Sequence, residues 1–230
     1  MTLQQPLALE PPVGAADWSQ HLLLDARTLR GLASLNEAFL RLLFEAQLRE
    51  PGQPVLGLEP ALLPPPTPAP GAATMLTGLP CALFDLRFRD IRLWQQVAAR
   101  GGAVADGQRP AAAEPTLAAF TRAAVSFAWH LAQARDRPAR LLLGMEPATA
   151  QALAEVPVGQ LDGLAQGLAP QLEARFSGRA SFWMAVRDCL RIPSDAVRRA
   201  RLRRLALQLQ GTDSARGQQL QRRVRLQAQA

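Results

Sequence analysis

Apolar residues recur at helical spacing in two places along the chain. Leu32, Leu35, Phe39, Leu42 and Ala46 are answered by Leu117, Phe120, Ala124, Phe127 and Leu131 at a constant offset of 85. The spacing i, i+3, i+7, i+10, i+14 is one face of an amphipathic helix and predicts a helix in each place. A polar, Pro-containing loop follows both stripes, Arg49 to Pro54 and Arg135 to Arg140. Each loop leads to the same short signature, Leu56-Gly57-Leu58-Glu59-Pro60-Ala61 and Leu143-Gly144-Met145-Glu146-Pro147-Ala148. Glycine suits a helix exit, and proline after an acid suits the first turn of the next helix.

The period then changes to two. Phe84, Leu86 and Phe88 alternate with Asp85 and Arg87, and Leu172, Ala174 and Phe176 alternate with Glu173 and Arg175. Such alternation predicts a short, half-buried strand with the acid and the arginine on its wet side. A helix is expected after each strand, carrying Ile91, Trp94 and Val97 in one case and Ala180, Trp183 and Val186 in the other. The offset grows to 87 at the glycine, 88 at the strand and 89 at the tryptophan, as loop insertions in a duplicated unit would produce. The two copies differ in one stretch. Val156, Val158, Leu161, Leu164 and Leu168 predict a second packed helix in the later copy, where the earlier one has Leu63-Pro64-Pro65-Pro66-Thr67-Pro68-Ala69-Pro70-Gly71. Proline at that density removes backbone donors, so residues 63–73, within a Pro-rich loop over 60–73, are expected to be exposed and irregular.

The expected organisation is a flexible tail over 1–17, a first degenerate copy over 18–100 and a linker over 101–115. A second copy over 116–192 and a basic helical extension over 193–230 complete it. The fold class expected is mainly α: two helical units related by a pseudo-two-fold axis, each with one short strand, plus a basic C-terminal helical arm. The chain would then be a pseudo-dimer in itself. Its single core is expected to bury Phe39, Phe88, Trp94, Phe127, Phe176 and Trp183.

Composition removes several function classes. All 26 basic residues are arginine and lysine is absent, so there is no Walker A loop, no Schiff-base residue and no kinase-type lysine. No G-x-S-x-G, H-E-x-x-H, G-x-G-x-x-G or C-x-x-C motif occurs. His130 sits beside Trp129 in an apolar helical stretch and reads as structural or surface rather than catalytic. With Cys81, Cys189, His21 and His130 as the complete set, a His/Cys zinc cluster within one subunit is out of reach. The expectation is a non-enzyme with no cofactor and no metal. Two cysteines and an N-terminus without a basic region point to the cytoplasm, and no apolar run predicts a membrane span.

Charge is segregated. Residues 187–230 hold 11 arginines against Asp188, Asp195 and Asp213, a net of +8, while residues 1–186 are nearly neutral. Ser194 is positioned to cap a helix starting at Asp195, with Leu202, Leu205 and Leu209 as its apolar stripe and Gly211 as its end. A second helical stretch is expected from Ser214. Arg198, Arg199, Arg201, Arg203 and Arg204 on the first helix, and Arg222, Arg223 and Arg225 on the second, form a candidate phosphate-backbone clamp. The same residues would equally serve RNA or an acidic protein, or be a solvated face on a docking helix.

The second copy resembles FlhD, the flagellar transcriptional activator subunit of proteobacteria. The resemblance runs from Phe120 to about Phe182, through the helix around Val125–Leu131, Leu143-Gly144-Met145, the Pro157–Leu161–Leu164–Ala165 helix and the Arg175-Phe176 strand end. The first copy resembles the same unit more weakly, from Leu35 to Phe88. The resemblance implies a helical, dimeric regulator that activates transcription with a second subunit of FlhC type. Cys81 is out of register with the family's inter-subunit cysteine, and the arginine cluster has no counterpart within the match. The leading expectation is a DNA-binding transcriptional regulator; the alternative is a non-catalytic adaptor of a flagellar or type III secretion system.

Overall fold

The fold is described from a computed structural model over residues 26–65, 78–100, 115–134 and 141–228; of Arg100 and residues 214–228 only the backbone is described. The tail over 1–17, most of the linker over 101–115 and residues 66–73 of the proline stretch lie outside the described residues. The chain is mainly helical. In order it forms α1 (Ala26–Arg49), a 3-10 turn (Pro60–Leu62), β1 (Phe84–Asp85), α2 (Ile91–Arg100) and α3 (Pro115–Gln133). Then follow α4 (Pro147–Ala154), α5 (Leu161–Leu168), β2 (Glu173–Ala174), α6 (Ala180–Arg191) and α7 (Ala196–Ala228). Pro115, expected in the linker, is the first residue of α3, where its missing N–H costs nothing.

Both apolar stripes face one core. Leu32, Leu35, Phe39 and Leu42 of α1 are buried, as are Phe120, Ala124 and Leu131 of α3. Phe39, Phe84 and Phe120 meet with ring centroids 5.1–6.0 Å apart, so α1, β1 and α3 share one aromatic cluster. Of the expected core residues, Phe39, Phe88, Trp94 and Trp183 are buried. Phe127 and Phe176 are instead half-buried and pack on the core's margin.

The two strands pair antiparallel, Phe84 with Ala174 and Asp85 with Glu173. Each is two residues long, shorter than the five-residue alternation predicts. The cause is local: Arg87 (φ 55°) and Phe176 (φ 60°) adopt left-handed backbone and turn the chain out of the ladder. Both turns are closed by a tryptophan. Trp94 Nε1 donates to the Leu86 and Arg87 carbonyls, and Trp183 Nε1 to the Arg175 carbonyl. The Leu-Gly signatures also match in conformation. Gly57 (φ 81°) and Gly144 (φ 67°) are left-handed, Glu59 and Glu146 are extended, and Pro60 and Pro147 open the next helical turn. In the first half that turn is a single 3-10 turn of three residues before the proline stretch, and in the second it is α4. Leu63 and Pro64, expected to be exposed, are buried, and Pro65 is half-buried, because Leu63 packs into the core cluster and carries the start of the proline run with it.

Backbone bonds interlock the halves. The Ala82 N–H donates to Leu142 O, Glu146 to Phe88 O, Ala174 to Leu56 O and Arg175 to Leu83 O. Buried Asn36 of α1 clamps the strand's approach, its Nδ2 donating to Cys81 O at 2.9 Å and its Oδ1 accepting from Leu83 N at 2.8 Å. On the outside α2 packs on α4 and α5, α6 on the 3-10 turn, and α7 on α6.

Candidate polyanion interface

α7 begins where Asp195 caps it. Asp195 Oδ1 accepts from Val197 N at 2.9 Å and Arg198 N at 3.1 Å, and its Oδ2 accepts from Arg198 Nε at 2.9 Å. The Arg198 backbone bond chiefly holds the Asp195 carboxyl below its ordinary range. The cap is therefore Asp195 rather than Ser194, and the helix starts one residue later than the sequence implies. Gly211 does not end it. The helix runs unbroken through residue 228, giving 33 residues and about 50 Å of length. An exposed glycine costs a helix only about 1 kcal/mol, which flanking good helix formers such as Leu207, Gln208, Leu209 and Gln210 outweigh.

Among the described residues of α7, Leu202 and Ala206 are buried, with Leu205 and Leu209 half-buried beside them. This seat distributes the candidate arginines around the helix rather than onto one face. Arg198 and Arg199 are partly buried and serve the helix start, Arg198 on Asp195 and Arg199 donating to Pro193 O. Arg203 lies across Gly78 and leaves no room there for a side chain. Arg201 and Arg204 are exposed, with no hydrogen bond or ion pair among the described residues. Arg201 also borders a groove of ≈ 270 Å³ between α6 and α7 that Ser181, Met184, Ala185 and Asp188 line. Arg222, Arg223 and Arg225 belong to α7 by their backbone; their side chains lie outside the described residues.

The sequence reading missed the charge centre beneath α7. Arg175, expected on the wet side of β2, is only 5 % exposed. Its Nη1 donates to Leu142 O at 2.7 Å, its guanidinium lies 4.7 Å from the Phe176 ring centre, and its Nη2 is 3.7 Å from Asp213 Oδ2. Arg89 Nη2 reaches the same oxygen at 3.2 Å. One signal for this was available: Asp213 falls eleven residues after Leu202 and seven after Ala206, which is the buried face of α7. Cys81, fully buried nearby, has its thiol pushed up to about 12, first by burial, with Arg175 opposing and Asp213 adding to the rise. On the ladder itself the Glu173 carboxyl is pushed up by burial and then by facing Asp85, with Arg87 opposing.

His130 is exposed, beside Trp129. Among the described residues no group of three His, Cys, Asp or Glu could hold a metal ion, and no helix is long and apolar enough to cross a membrane. Comparisons with protein-family models, curated proteins and solved structures returned no match to this chain.

Proposed function

We propose that the chain is a non-catalytic, DNA-binding transcriptional regulator of FlhD-like type. It is a tandem duplication that folds as its own pseudo-dimer and acts with a partner subunit of FlhC type. The duplication reading is supported by the equivalent turns at Arg87 and Phe176, 89 residues apart, and by the tryptophans that close them. In the antiparallel pair Asp85 faces Glu173, its counterpart at the offset of 88, which supports a pseudo-two-fold axis through that pair. The DNA reading rests on one observation. α7 carries nine arginines and a single acid, and that acid is turned inward against Arg89 and Arg175, so the charge exposed by its described residues is of one sign. A basic helix of this kind gains affinity by releasing phosphate counterions.

Duplex binding followed by fluorescence anisotropy across a salt series tests this reading. Replacing both Arg201 and Arg204 by Ala is expected to weaken binding to all sequences and to reduce the salt slope by about 0.9 per lost phosphate contact. Arg198→Ala is expected to leave the slope nearly unchanged, because that guanidinium already holds Asp195. No duplex binding at low salt, with or without an FlhC-type partner, overturns the reading. The adaptor alternative has one observation in its favour: Val197 is 79 % exposed one turn before Arg201, and Met184, 46 % exposed, lines the adjoining groove. An apolar pair beside unpaired arginines suits an acidic protein surface.

A further inference from the structure

We propose that Asp213, held by Arg89 and Arg175, is the positioning residue that seats α7 and so decides which of its arginines face outward. The apolar contacts of α7 cannot do this alone. Leu202 and Ala206 are small or flexible, and hydrophobic contact is non-directional, so the helix could slide or roll on α6 at little cost. A one-residue roll turns a helix by about 100° and would carry Arg201 and Arg204 off the outer face.

Directional contacts fix the seat instead. Gln210 Nε2 donates to Pro80 O and Leu141 O, and one turn further Asp213 enters the two-arginine clamp. The clamp draws on both halves of the molecule, Arg89 from the turn after β1 and Arg175 from the end of β2. Arg175 supplies the specificity. A guanidinium as buried as this one needs a counter-charge, and Asp213 is its ion-pair partner among the described residues. Among the described residues the Nη2 atom has no hydrogen-bond acceptor, and that carboxylate is 3.7 Å away. Shifting α7 would strand this buried cation, so one register is strongly preferred. The backbone also makes room for the clamp: a Cβ at Gly144 would overlap the Arg175 guanidinium.

The seat stands on this geometry, and its effect on binding rests on α7 being the polyanion-binding arm. Two readouts on the full chain separate them. Amide hydrogen exchange over residues 206–213 reports the seat; anisotropy with a 20-base-pair duplex reports the arm. In Asp213→Asn, exchange over 206–213 is expected to rise about tenfold while α3 and α5 stay protected. Duplex affinity is expected to fall severalfold although the variant is one charge more positive. Simple attraction to phosphate predicts the opposite sign. Arg89→Ala, at a more exposed partner, guards against a folding defect and is expected to raise exchange less, with Arg89→Lys restoring it. Exchange within about twofold of wild type in Asp213→Asn overturns the proposal. Opened exchange with equal or tighter duplex binding overturns the positioning role. If the wild type binds no duplex, the polyanion reading fails and the seat is judged by exchange alone.

Discussion

Asp85 and Glu173 face each other across a ladder with two residue pairs, where like charges oppose pairing. Glu173 bears the strain: its carboxyl is pushed up by burial and by Asp85. A carboxyl raised on folding disfavours the native state wherever it is ionised. That cost is complete above the folded value and vanishes as the pH falls below the unfolded value of about 4.5. Glu173→Gln is therefore expected to raise the melting temperature at pH 7 and to give no gain near pH 3. A variant that melts lower at pH 7 would show the charge to be compensated. The two acids were legible in the sequence as the wet side of their strands. Arg175 was not, because the same alternation assigns it to solvent, whereas Leu142, Gly144, Phe176 and Asp213 of α7 close around it.

Elements were legible where periodicity is strong. Both long stripes became helices with the expected faces inward, and Leu161, Leu164 and Leu168 of the second half's further apolar pattern became the buried face of α5. What local pattern does not carry is where a strand stops when ordinary residues make the turn. Arg87 and Phe176 are left-handed without being glycine, held there by tryptophan bonds from the following helices. Glycine misled in the opposite direction, marking an end at Gly211 that the helix ignores. The two glycines give opposite predictions. Gly211 is exposed with open space around it, so Gly211→Ala is expected to stabilise by about 0.5–1 kcal/mol in thermal or denaturant unfolding. Gly144→Ala places a side chain at φ 67° and against Arg175, and is expected to cost at least about 1–2 kcal/mol. Equal effects of the two changes would mean that Arg175 is not held where the clamp needs it.

Across the whole molecule, Phe39, Phe84 and Phe120 bring α1, β1 and α3 to one point, and backbone bonds cross between the halves on either side of it. The two halves therefore share part of one core. Phe120→Ala is expected to cost about 3–5 kcal/mol and to lower one cooperative transition, with circular dichroism and tryptophan fluorescence coinciding. Two separated transitions would mean independent halves. The same strand pair has a consequence for how the protein is made. The partners Phe84 and Ala174 are about ninety residues apart, and ribosomes add about 5–20 residues per second, so β1 waits on the order of ten seconds for its complement. During that interval a nascent chain presents an unfilled strand edge to every neighbour on the same messenger. Keeping the ladder to two residue pairs leaves that edge too short to template much association, and in the folded chain the left-handed turn at Arg87 ends it on one side.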